Sequence, residues 1–224
     1  MMIATMVFAA GLGTRMRPLT DDRPKAMVQV AGRPLIDHAL EQVAGPGPCV
    51  VNAHHFAPVL TSHLCTRDDL VIVTEDMLLE TGGGLRAALP RLGRGPVLTM
   101  NADAVWTGPR ARDTLLSAWR GDAMDGLLLL VPPKRAVGQA GGSFAMDHDG
   151  RLTRDTDGMV YTGAGIVKTD RLHDDPRTVF SLRDLWFDMM GRGRLFGVEH
   201  PGHWADVGTP EGITLAESML AGAA

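Results

Sequence analysis

Residues 8–28 read FAAGLGTRMRPLTDDRPKAMV. An apolar run, IATMVFA (3–9), turns here through Gly11 and Gly13 and at once gathers four cations: Arg15, Arg17, Arg23 and Lys25. Glycines let backbone N–H groups approach phosphate oxygens closely, and arginine and lysine neutralise charge that develops during phosphoryl transfer. A strand followed by such a loop therefore predicts a site for a phosphate chain. Two familiar patterns do not apply. Gly11-Leu12-Gly13 is not followed by the third glycine of a dinucleotide fingerprint, and no Gly-Lys-Ser/Thr follows it.

Outward from the loop, short apolar runs alternate with helical spacing. PCVVN (48–52), LVIVT (70–74), PVLTMN (96–101) and GLLLLV (126–131) read as buried strands. PLIDHALEQVA (34–44), APVLTSHLC (57–65), GGLRAALPRL (83–92) and RARDTLLSAW (110–119) read as helices, the first with proline at its opening position and the third interrupted near Pro90. This order predicts a Rossmann-like α/β fold, its mostly parallel central sheet covered by helices on both faces. Beyond residue 131 the pattern changes. GSFAMDHDGRLTRD (142–155) predicts two strands about the Asp149-Gly150 turn, and MVYTGAGIVKT (159–169) another strand. SLRDLWFDMMGRG (181–193) reads as a helix with Trp186 and Phe187 in the core, and TPEGITLAESML (209–220) as a last helix capped by Thr209 with Glu211 in its first turn. Residues 1–224 are expected to form one domain, with a smaller inserted antiparallel region at about 132–165.

The 224 residues are 45% hydrophobic and 21% charged, with enough apolar mass for a sizeable core. A net charge of −4 argues against a nucleic-acid partner, which calls for a basic field. No apolar run approaches the roughly 20 residues of a membrane span, and MMIATMVFAAG reads as a strand rather than a signal peptide. A cytoplasmic protein, monomeric or a small homo-oligomer, with small-molecule substrates is expected. The two cysteines, Cys49 and Cys65, lack ligand or disulfide-framework spacing and are expected as reduced thiols in or near the core. His54-His55 has no matching carboxylate or cysteine at ligand spacing, so metal binding is not expected there.

AAGLGTRMRPLTDDRPKAMVQVAGRPLIDHAL (9–40) resembles the signature of the sugar-phosphate nucleotidyltransferases, and the likeness continues through ETGGGLRAAL (80–89), NADAVW (101–106) and GHWADVGTPEG (202–212). The resemblance implies the nucleotide-diphospho-sugar transferase fold, with the inserted region on the sugar side. It also implies attack by a sugar 1-phosphate on the α-phosphorus of a nucleoside triphosphate, with Mg²⁺ as cofactor. On that reading Gly11, Gly13, Thr14 and Arg15 cradle the triphosphate, Lys25 reaches a phosphate, and Arg15 and Lys25 serve catalysis. Backbone atoms of Ala9, Ala10, Thr81 and Gly82 border the base, with Gly82 in the loop LETGGG (79–84) closing over it. Asn101, Ser143 and Gly163 are the sugar-side candidates, and Asp103 and Asp206 are the metal carboxylates.

Within the family, LETGGG, NADAVW and HWADVGT most resemble members that charge a peptidoglycan-derived sugar 1-phosphate with UTP. A guanylyltransferase acting on mannose 1-phosphate or a related hexose 1-phosphate is the alternative, and a non-catalytic nucleotide-sugar-binding subunit is a third reading. No β-helix acyltransferase domain like that of bifunctional relatives is expected after the last helix. Ala102 stands where the family usually has glycine, a change expected to be harmless unless the backbone there has positive φ. Trp106 stands three residues after Asp103 rather than two.

Overall fold

A computed structural model of the chain describes residues 2–139 and 141–222. Its centre is a seven-stranded sheet in the spatial order Leu195–Glu199, Gly126–Val131, Val160–Lys168, Pro96–Asn101, Ala4–Phe8, Cys49–Ala53, Val71–Thr74. Six strands run the same way. Val160–Lys168 alone opposes its neighbours, pairing antiparallel with both Pro96–Asn101 and Gly126–Val131. All six residues of Gly126–Val131 are buried, as expected of a strand covered on both faces.

Helices Leu35–Val43, Ala57–Leu64 and Ala111–Ala118 cover one face, burying Ile36, Leu40, Leu60 and Leu115 against Val7, Val51 and Leu98. Helices Glu80–Leu92 and Leu182–Gly191 cover the other, where Leu85, Leu89, Leu182 and Trp186 meet Met6, Leu128 and Val167. A third, smaller core lies under the last helix, Pro210–Ala221, and holds Met16, Val105, Ala205, Val207 and Ala216. It stabilises a small second sheet in which Trp204–Asp206 runs between Ala104–Trp106 and Ala136–Val137.

Several expectations need correction. Of residues 132–165, the hairpin of Phe144–Met146 with Leu152–Arg154 stands apart, but Val160–Lys168 is a central strand. Glu80–Leu92 runs through Pro90, which sits in the last turn, so little helix remains for its ring to disturb. The helix also begins three residues before the expected Gly83, because the glycine run itself is helical. Pro34 takes the position just before its helix rather than the first turn. Thr209 precedes the last helix without a capping bond from its side chain to the helix N-terminus. Phe187 is 41% exposed, whereas Trp186 beside it is buried. Cys65 is exposed and Cys49 half-buried, where burial pushes its thiol up to about 11.

Leu98 is fully buried on the strand next to the first one, against which it is paired. Leu98→Ala should lower the unfolding free energy by about 2–5 kcal/mol. A urea titration should show this as a lower midpoint with the slope unchanged.

Candidate active site

The chain leaves strand Ala4–Phe8 for Cys49–Ala53 on one side and returns to Pro96–Asn101 on the other, so the strand order reverses there. In an open α/β sheet this switch point opens a crevice beyond the carboxyl ends of the strands. A cleft of about 340 Å³ lies there, lined by Ala9, Ala10 and Gly11 from the first strand's end and by Asn101 and Asp103 from its neighbour's. Ala102 lies between them with its N–H donated to Phe8 O at 3.1 Å. Its φ is not positive, so its methyl group meets no backbone strain.

The glycine loop after the first strand is shaped by Gly13. Its φ of 63° lies in the left-handed region, and a Cβ there would stand 2.9 Å from Lys25 Cβ. Thr20 Oγ1 closes the turn by donating to Gly13 O at 2.9 Å, and buried Met16 pins the short 3₁₀ turn Thr14–Met16 to the core. Thr14 and Arg15 are left exposed on that turn.

Two cations and two carboxylates converge beside it. Lys25 Nζ donates to Asp103 Oδ2 at 2.9 Å, with the lysine side chain only 12% exposed. Asp206 arrives from the C-terminal end of the chain. It pairs with Ala104 across the small sheet, and Val207 N–H donates to Asp103 O at 2.9 Å. Gly208 lies beside both Asp206 and Arg15: a Cβ there would lie 2.7 Å from Asp206 Oδ2 and 3.1 Å from Arg15 Nη2. Burial raises the Asp206 pKa and the Asp103 charge raises it further, while Lys25, Arg15 and the Gln139 amide pull it back. Two carboxylates held together against that cost are hard oxygen donors suited to a hard cation. Among the described residues no group of three or more histidine, cysteine, aspartate or glutamate side chains could hold a metal. A cation here would thus complete its shell from substrate and water, the habit of Mg²⁺.

The cleft's far wall rests on a buried polar chain. Ala9 N–H donates to Asn52 Oδ1 at 2.8 Å, Asn52 Nδ2 donates to Glu75 Oε1 at 2.7 Å, and Leu79 N–H donates to Glu75 Oε2 at 3.2 Å. His54, not expected to bind metal, donates from Nδ1 to Glu75 O at 2.8 Å and so fixes the same turn. Neither Asn52 nor Glu75 was singled out in the sequence. The signal was present, because each is a polar residue just where a predicted apolar strand ends, PCVVN and LVIVT.

Thr81 lines the cleft and its Oγ1 accepts from Leu182 N–H at 3.0 Å. Gly82 does not line it. Its N–H is donated to Phe180 O at 2.9 Å, and a Cβ would stand 2.4 Å from the Phe180 ring. Its lack of a side chain admits Phe180 rather than a base, and its N–H is not free to read one. Glu80 bends the chain into the helix with φ 60° and joins the lining.

Asn101, expected at the sugar, faces the cleft, and Gly163 packs against it. Gly163 has φ 84°, and a Cβ would stand 2.9 Å from Asn101 Cβ, at a register shift in the reversed strand. Ser143 does not line the cleft; it lines a second groove beside the hairpin. Trp106 and Trp204 are buried, their ring centroids 6.4 Å apart, and they secure the small sheet rather than line the cleft.

A glycine turn, paired carboxylates and a ring-sized cleft at one switch point define a nucleotide-binding α/β enzyme. The chain belongs to the MobA-like NTP transferase domain family, whose model matches residues 5–138. It is 40% identical to N-acetylmuramate alpha-1-phosphate uridylyltransferase of Caulobacter vibrioides, covering 96% of each chain. It is 29% identical to the protein of that name from Neisseria meningitidis serogroup B, covering 97% of this chain and 98% of the relative. The crystal structure of HddC from Yersinia pseudotuberculosis complexed with GMP-PN shares the fold, with a TM-score of 0.76 at 20% identity, covering 98% of this chain and all of that one. The chain is accordingly a sugar-1-phosphate nucleotidyltransferase. Among the described residues no helix is long and apolar enough to cross a membrane.

Replacing Asn52 by leucine leaves the Ala9 N–H and the Glu75 carboxylate without their shared partner. Asn52→Leu should therefore cost about 1–3 kcal/mol of stability. It should also raise the KM for the nucleoside triphosphate more than the KM for the sugar phosphate, as steady-state kinetics and a thermal melt will show.

Proposed function

We propose that this enzyme joins UTP and N-acetylmuramate α-1-phosphate to give UDP-N-acetylmuramate and pyrophosphate, a step of peptidoglycan recycling in the cytoplasm. The observation that carries the chemistry is the Lys25–Asp103 pair with Asp206 and Arg15 at the switch-point crevice. The choice of substrates is supported by the likeness, over nearly the whole chain, to the two uridylyltransferases.

A non-bridging oxygen of the sugar 1-phosphate forms a bond to the α-phosphorus of UTP. The bond from that phosphorus to the oxygen bridging the β-phosphate breaks, and pyrophosphate leaves with the electron pair. The nucleophile is already an anion near neutral pH, so no strong general base is required. What the protein must supply is alignment and charge. Gly11, Gly13, Thr14 and Arg15 receive the triphosphate, and Lys25, turning from Asp103, neutralises charge on the reacting phosphates. Ala9, Ala10 and Thr81 border the uracil, with Asn52 and Glu75 holding that wall in place. Asn101 and Gly163 border the sugar. Asp103 and Asp206 would hold Mg²⁺, which supplies Lewis-acid stabilisation of phosphate charge when bound.

Purified protein with Mg²⁺, UTP and N-acetylmuramate 1-phosphate should release pyrophosphate faster than with GTP and mannose 1-phosphate. The reverse preference would overturn the substrate assignment. Lys25→Ala should lower kcat by at least about a hundredfold with little loss of stability, the scale of removing one electrostatic stabiliser. Asp103→Asn and Asp206→Asn should each remove most turnover. The double variant should be scarcely slower than either, as for groups acting as a unit.

A further inference from the structure

A second groove, of about 660 Å³, runs between the Phe144–Met146/Leu152–Arg154 hairpin and helix Leu182–Gly191. One wall is aromatic: Tyr161 and Trp186 meet with ring centroids 4.7 Å apart at 69°. Two arginines stand over it. The Arg154 guanidinium lies 5.1 Å from the centre of the exposed Phe187 ring, and Arg183 rises from the first turn of the helix.

Among the described residues neither arginine has a carboxylate partner, although the surroundings are rich in such pairs. On the same side of the molecule Arg177 is paired with Asp175 and Asp184, Arg171 with Asp188, and Arg192 with Asp125 and Asp188. Asp155 is the one carboxylate among the lining residues, and its Oδ1 is occupied by Asp157 N–H at 3.0 Å. The groove thus carries an excess of positive charge. Its inner end adjoins the reaction site: Ser181, which caps the helix bearing Arg183, lines the cleft itself, and Tyr161 stands two residues before Gly163, which packs against Asn101 of the cleft.

We propose that this groove receives a carboxylate-bearing substituent of the sugar ring, and that Arg183, seconded by Arg154, selects an acidic sugar 1-phosphate over its neutral counterpart. The proposal rests on the reading of the substrate as N-acetylmuramate 1-phosphate, whose lactyl ether carries a carboxylate that N-acetylglucosamine 1-phosphate lacks. Both sugars carry the 1-phosphate, so a preference between them reports the lactyl group and not the phosphate. A guanidinium offers two parallel N–H donors to a carboxylate, a geometry an ammonium does not reproduce. The Tyr161–Trp186 wall gives the lactyl methyl an apolar surface on the same side.

The test is calorimetric titration of the whole protein with UDP-N-acetylmuramate and with UDP-N-acetylglucosamine, which needs no turnover. The wild type should bind the acidic nucleotide sugar at least about tenfold more tightly, a fold-change equal to about 1.4 kcal/mol. Arg183→Gln should collapse most of that ratio, Arg183→Lys should restore part of it, and Arg154→Gln should reduce it less. Arg183 is exposed, so folding is not at stake, and a thermal melt checks this. A wild type without preference overturns the proposal. So does a preference left intact by both Arg183→Gln and Arg154→Gln, provided the pyrophosphate assay still shows N-acetylmuramate 1-phosphate as substrate; the proposed function then stands and this inference alone falls. If that assay shows no such turnover, both fall together.

Discussion

One main-chain hydrogen bond, from Val207 N–H to Asp103 O at 2.9 Å, ties together two segments a hundred residues apart in sequence. It extends the antiparallel pairing of Trp204–Asp206 with Ala104–Trp106 by one step, and it sets the approach of Asp206 to Asp103. Those carboxylates repel, and the Asp206 carboxyl is pushed up by its burial and its neighbour. The pairing persists because apolar contacts outweigh the repulsion: Val105, Ala205 and Val207 are all fully buried against the last helix and Met16. Met16 in turn belongs to the turn that follows Gly13. The same small core therefore positions the glycine loop and both carboxylates, which makes the last helix part of the site's foundation although none of its residues lines the cleft.

The opposite wall follows a different rule. There a buried side-chain amide spans three strands' ends, linking Ala9, Asn52 and Glu75 by bonds of 2.8 and 2.7 Å. A buried polar chain is stabilising only when all its members are satisfied, and this one is closed by Leu79 N–H and by Gly84, which leaves room for both Asn52 and Glu75. The glycine helix and the end of the first strand are thus held to the same buried polar chain. Rigidity on this side and charge on the other are what a reaction governed by alignment requires.

Much of this was legible in the residues, for identifiable reasons. Strands such as GLLLLV and the loop from Gly11 to Lys25 carry strong local signals, namely unbroken apolar runs and glycine beside cations. The reversal of Val160–Lys168 left no such mark, because alternation of side chains is the same whichever way a strand points. Glycine was informative but incomplete. Three in succession announced a close approach, yet the partners at Gly82 and Gly83 are Phe180 and Thr178, brought in from a loop nearly a hundred residues away. Phe187 illustrates the converse. Its apolar character suggested the core, while its position on the helix turned it outward beneath Arg154.

The Val71–Thr74 strand closes one side of the central sheet and exposes its outer edge, with Val71 40% accessible. Unpaired edges invite a second copy of the chain to add its own strand and begin a ribbon. Here the strand is only four residues long, and exposed aspartates flank it at both ends: Asp68 and Asp69 before it, Asp76 after it. Two such edges brought together in either direction would set aspartate against aspartate at both ends of the contact. Asp69 is partly offset by Arg67 at 2.7 Å, but Asp68 and Asp76 form no ion pair among the described residues. Local anionic guards of this kind oppose edge-to-edge pairing and keep a sheet finite.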